Sequence, residues 1–123
     1  MPVRALKDPE FDDWAQEQGL TDAMLRKAVD EVEAGLVDAR LGGFLLKKRI
    51  AAPGRGKRGS YRAIVAHRQG SRLIFLYGFA KNDRDNITDK ERKILSKLGD
   101  EYMSYDDAKL TSLVKKRVIS EIK

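Results

Sequence analysis

Apolar residues recur along this chain first at helical spacing, then at strand spacing, then at helical spacing again. Val3 to Lys7 reads as a short opening strand. Asp8 or Pro9 then opens a helix, because proline is tolerated in a first turn and Glu10, Asp12 and Asp13 suit its positive end. Phe11, Trp14 and Ala15 form its apolar stripe, and Gly19 ends it. Thr21 caps a second helix, along which Leu25, Ala28, Val29, Val32 and Leu36 follow at helical spacing, with Gly35 where a C-terminal cap belongs. Asp38 to Gly43 reads as a loop. The period then shortens. Phe44 to Ala51, Ser60 to Arg68 and Arg72 to Ala80 read as three strands of an antiparallel meander, with the tight turn Gln69-Gly70-Ser71 joining the last two. Thr88 and Glu91 make a capping box that opens a helix burying Ile94, Leu95 and Leu98. Ser104 to Asp107 starts a further helix, which Leu110, Leu113, Val114, Val118 and Ile122 continue.

This order predicts an α+β fold, a small antiparallel sheet flanked by N-terminal and C-terminal helices. Helices on one sheet face would leave the other for solvent or a ligand. One domain over residues 1–123 is expected, with 105–123 either closing the fold or forming a helical extension that binds a partner. The chain is 41% hydrophobic and 36% charged, which permits a modest core and argues against disorder. It has no cysteine, so disulfides and thiolate metal sites are excluded. No apolar run approaches the roughly 18 residues of a membrane span. Met1-Pro2-Val3-Arg4 lacks the layout of a signal peptide. A cytoplasmic protein without a membrane partner is expected.

Charge changes the picture more than composition does. The net charge is +6, but residues 44–84 alone hold eleven cations against one anion, Asp83. The remainder carries fourteen cations against eighteen anions. A basic middle between acidic flanks is the footprint of a polyanion partner, because cations this dense repel unless phosphates relieve them. Gly54-Arg55-Gly56-Lys57-Arg58-Gly59 matches GxGxxG in form, yet it precedes the strand-like Tyr61-Arg62-Ala63-Ile64-Val65 rather than a helix. A dinucleotide fold is therefore rejected. The loop reads either as an ordinary charged hairpin connection or as one whose glycines let amides and cations approach phosphates. The single histidine, His67, has no second ligand at useful spacing and reads as structural. Carboxylates are scarce in the basic segment, so a two-metal nuclease site is not expected, and neither metal nor cofactor is assigned. Alternation places Lys47 and Arg49 on one face, away from Leu46, Lys48 and Ile50. Arg62 approaches them from the next strand, and Lys81 and Asn82 follow the third.

Leu41-Gly42-Gly43, Lys47 to Ala51, Gly54 to Arg62 and Tyr77-Gly-Phe-Ala-Lys-Asn82 together resemble the RelE superfamily of toxins, nearest to its HigB-like branch. The resemblance spans about Phe11 to Tyr102. It implies a small antiparallel sheet flanked by helices, mRNA cleavage on the ribosome during translation, and neutralisation by an antitoxin, often a helix-turn-helix protein encoded beside the toxin. Operator DNA would be reached only through that antitoxin. Carried onto this sequence, the family's cationic cluster falls on Arg49, Lys57, Arg62 and Lys81, with Lys47 a looser match. No counterpart of the histidine or C-terminal tyrosine of some relatives is evident, and Tyr102 and Tyr105 are the nearest tyrosines.

For RNA, such a site aligns the 2′-hydroxyl on the adjacent phosphorus, takes its proton, stabilises the extra phosphate charge and protonates the leaving oxygen. Arg62 and Arg49 suit the phosphate, because a guanidinium fork stays charged. An ordinary lysine pKa of about 10.4 is high for a base, but neighbouring cations lower it. Lys47 is accordingly assigned the base and Lys81 the acid, in roles that are interchangeable. Lys57, with Arg55, Arg58 and Asn82, would hold flanking RNA, and Tyr61 would stack a base. Two other classes fit the composition: a ParE-type toxin acting on DNA gyrase, and a non-catalytic RNA- or DNA-binding protein.

Overall fold

A computed structural model describes residues 3–51 and 60–123. The expected loop residues Arg55, Lys57 and Arg58 lie outside that range. The chain runs β1 (Arg4–Lys7), α1 (Pro9–Glu17), α2 (Asp22–Glu33), β2 (Ala39–Gly42), β3 (Leu45–Ile50), β4 (Tyr61–Arg68), β5 (Arg72–Ala80), α3 (Asp89–Ser104), α4 (Asp107–Lys115) and β6 (Ser120–Glu121). The fold is α+β. One six-stranded sheet has the order β2-β3-β4-β5-β1-β6, antiparallel throughout except that β1 runs parallel to β5.

Helix starts follow side-chain caps. Asp8, Thr21, Thr88 and Asp106 each accept a hydrogen bond from a first-turn amide, and Thr88 with Glu91 completes the capping box. Helices α1 and α2 stop where glycine takes positive φ, at Gly19 (74°) and Gly35 (89°). In both, the amides after the last turn bond back to carbonyls three and five residues earlier. Leu36 therefore lies beyond α2 and is exposed, not part of its buried stripe.

Three further expectations are corrected. Asp38 to Gly43 is not all loop: Ala39–Gly42 is an edge strand on β3, short and without a β-branched run to announce it. The last helix does not continue through Ile122. Arg117 takes φ 60°, Arg117 N donates to Val114 O and Val118 N to Leu113 O, so the same stop operates without glycine. Ile119 and Ile122 are buried beside β6 while Val118 is exposed. Ile94 is likewise exposed on the outer side of α3, whereas Leu95 is buried.

Both faces of the sheet are covered, contrary to the expectation of one free face. Phe11, Ala15, Leu25, Val29 and Val32 of α1 and α2 pack on Leu46, Ile50, Ala63, Val65, Leu73 and Phe75. Leu95, Tyr102, Met103 and Leu110 of α3 and α4 pack on Leu45, Ile64, Ala66, Ile74, Leu76 and Phe79. Two glycines permit close approach. Gly99 brings α3 onto Ala66 and Leu45. Gly78 lies under the Trp14 ring, where an added Cβ would come within 2.2 Å of a ring carbon.

Candidate nucleic-acid interface

The register aligns three strand cations on the α3 side of the sheet. Arg49 of β3 lies directly opposite Arg62 of β4, and Arg62 opposite Phe79 of β5. One row inward, Lys47 pairs with Ile64 and Ile64 with Tyr77. Ile64 and Phe79 belong to the core beneath α3, so alternation puts Lys47, Arg49 and Arg62 on that face. A register shift between Ile64 and Val65 leaves Leu76 as an extra residue of β5. This bulge turns Tyr77 onto the α3 face, where strict alternation from Phe75 would have placed it on the other.

Arg49 is exposed, Lys47 and Arg62 are half-buried, and Lys81 and Asn82 are exposed just past β5. Lys81 N donates to Ser60 O at 3.2 Å, which extends the ladder by one bond and keeps Lys81 at the same end of the sheet. Arg62 has the most defined surroundings. Its Nε is 3.2 Å from Asp38 Oδ2, and its Nη1 donates to Ser60 Oγ and to Tyr61 O, each at 3.4 Å.

Two residues that the sequence did not single out complete this end. Asp38 arrives on the turn into β2, which had read as loop. Arg84 lies over the Phe79 ring at 5.5 Å, donates to the Tyr77 hydroxyl at 3.4 Å and to Asn86 O at 3.0 Å, and pairs with Glu91. The Arg84 guanidinium, with the Thr88 amide, holds the Glu91 carboxyl down at about 2.

Tyr61 does not join the cations. It points to the opposite face, meets Trp14 edge-on at 5.3 Å and donates to Gln18 Oε1 at 3.1 Å. Tyr77 and the buried Phe79 are the aromatics of β5 that share the cationic face. His67 is structural: its Nε2 lies 2.5 Å from Glu33 Oε2, and Glu33 also accepts from the Gly70 amide. Burial opposes ionisation of Glu33, but these bonds outweigh it and hold the carboxyl below its usual range.

Several basic-segment cations serve the fold. Lys48 is buried on the α2 face with Glu31 at 3.0 Å. Arg72 is buried at the far end of β5, donating to the carbonyls of Tyr102 and Tyr105 and lying 3.3 Å from Asp107. Tyr102 donates to Asp8 Oδ1 at 2.6 Å, and burial, then Asp8, push its hydroxyl well above the ordinary range. Tyr102 and Tyr105 therefore stand at the Arg72 end, away from Arg62.

Two arginines directly opposite each other on paired strands, with a lysine one row inward on the same face, are chemically suited to bind a phosphate group. Among the described residues, no group of three His, Asp or Glu side chains is spaced to hold a metal ion. The family model of the RelE toxin of the RelE/RelB toxin–antitoxin system matches residues 3–122. The chain belongs to the RelE toxin family. As a RelE-family toxin it is one half of a toxin–antitoxin pair, and an antitoxin is its partner. Comparison with curated proteins gives no match. Among the described residues, no helix of this RelE-family toxin is long and apolar enough to cross a membrane.

Proposed function

We propose that this toxin is a metal-independent endoribonuclease of the HigB-like branch that cleaves mRNA on the ribosome in the cytoplasm and so inhibits translation. The observation that carries the reading is the cross-strand pair Arg49–Arg62, with Lys47 on the same face and Lys81 at the same sheet end. In this reading Arg62, assisted by Arg49, binds the scissile phosphate and stabilises the charge that grows on its oxygens. The RNA supplies its own nucleophile, the 2′-hydroxyl. Lys47 takes the hydroxyl proton and Lys81 protonates the leaving 5′-oxygen, or the two exchange roles. Asn82 contacts flanking backbone, and so do Arg55, Lys57 and Arg58 from outside the described residues. Tyr77, rather than Tyr61, is the aromatic available for stacking on this face. The antitoxin is a helix-turn-helix protein encoded beside the toxin.

The test is induced expression followed by mapping of mRNA 5′ ends, with Arg62→Ala as control. Cuts within translated codons that persist in chelator and vanish in Arg62→Ala are expected. DNA damage without mRNA cuts would replace this reading with gyrase poisoning, and full toxicity of Arg62→Ala would remove Arg62 from the site.

A further inference from the structure

We propose that Asp38 is a positioning residue that orients the Arg62 guanidinium for phosphodiester cleavage, a role that rests on the ribonuclease reading. Asp38 touches the backbone of Lys47 and Arg49 and the side chain of Arg62 through different atoms. Its amide donates to Lys47 O at 2.9 Å, its Oδ1 accepts from the Arg49 amide at 3.2 Å, and its Oδ2 lies 3.2 Å from Arg62 Nε. Two arginines directly opposite each other on paired strands repel. The Asp38 carboxylate pairs with the Arg62 guanidinium and so offsets part of that repulsion without RNA.

The contact also chooses a geometry. A guanidinium is a rigid plane of five N–H donors. Asp38 holds Arg62 at Nε, while Ser60 Oγ and Tyr61 O hold it at Nη1. The plane is thereby set, and Nη2 has no acceptor among the described residues. Nη2 is thereby the donor left for a phosphate oxygen. Asp38 itself carries the wrong charge to attract RNA, so its contribution lies in the cleavage step rather than in affinity.

That separation is the test. Asp38→Asn keeps an acceptor for the Arg49 amide but removes the charge, and Asp38→Ala removes both. Each purified variant is first melted to establish that it folds. Each is then assayed for cutting a defined mRNA on programmed ribosomes and as free RNA, with binding measured on the same RNA carrying a 2′-O-methyl block. For Asp38→Asn, kcat is expected to fall about 10- to 100-fold, the scale of a misplaced catalytic group. KM and the Kd for blocked RNA stay level or decrease, and the pH profile keeps its shape. For Asp38→Ala the fall is at least as large. A kcat within twofold of the parent in both variants overturns the proposal. So does loss of the acidic limb of the pH profile, which would make Asp38 a proton acceptor, or a rise in KM at constant kcat. If the parent cuts neither substrate, the ribonuclease reading fails first, and that result is distinct from a variant matching an active parent.

Discussion

Arg62 and Arg72 stand on neighbouring strands, on the same side of the sheet, at its two opposite ends. Arg72 is covered: the end of α3 and the start of α4 lie over it, and it donates to the carbonyls of Tyr102 and Tyr105. It works as a cap for a helix C-terminus, where a cation suits the exposed carbonyls. At the other end Arg62 meets the Asp38 carboxylate, Ser60 and its cross-strand neighbour Arg49 instead. The same residue type on the same face binds helix-terminal carbonyls at one end and faces a carboxylate and a second arginine at the other. Partners separate them, not the density of charge along the chain.

The largest effect should come from Arg62→Ala. Cleavage is expected to drop at least about 100-fold, as when a donor to a developing oxyanion is removed. Unfolding free energy should fall by about 1 kcal/mol, since Asp38, which keeps some access to water, loses its partner. Steady-state cleavage assays beside urea titrations measure both.

Arg72→Met reverses the balance. It leaves two helix-terminal carbonyls without their donor, so urea titration should show a loss of about 2–3 kcal/mol. Cleavage per folded molecule should be unchanged. A nuclease defect in fully folded Arg72→Met equal to that of Arg62→Ala would erase the distinction between the two ends.

A smaller effect sharpens the Arg62 end. The Glu91 carboxyl is held at about 2 in the folded chain against an ordinary 4.5. A depressed carboxylate contributes stability above its unfolded pKa and loses it as pH falls through the folded one. The Arg84–Glu91 link should therefore hold above about pH 4.5 and fade toward pH 2. Glu91→Gln should flatten that part of the acid unfolding curve, with Asp12 and Glu33, also held low, supplying the remaining dependence. Identical acid curves for parent and variant would count against the link. The smallest effect is expected of Ile94→Ser on the outer side of α3, within about 0.5 kcal/mol by thermal melting.

What was legible in the sequence was local. Asp8, Thr21 and Thr88 announce helix starts because the cap and its amide lie within a few residues. Gly19 and Gly35 announce stops because positive φ favours glycine. The α4 stop was hidden because Arg117 occupies the left-handed position where glycine is usual. β6 was hidden because its partner β1 lies at the other end of the chain, and β2 because it is short and has no β-branched residue. At the candidate site, the shared face of Lys47 and Arg49 followed from alternation, and the register of β4 on β3 adds Arg62 to it. Tyr77 did not, because a single extra residue in β5 reverses which way it faces. Asp38 did not, because only the pairing of β2 brings it to Arg62. Lys48, Arg72 and Arg84 counted toward the charge of the basic segment, and nothing in the order of residues marked them as tied to Glu31, Asp107 and Glu91.

The indole seated on Gly78 gives the molecule its own optical gauge. Trp14 is the sole tryptophan, so indole emission, excited apart from the four tyrosines, has one origin. It rests on bare backbone of β5 one position before Phe79, the ring beneath Arg84. A shift in that emission on adding RNA or antitoxin would register whether events on one side of the sheet are felt through it on the other, with no label attached.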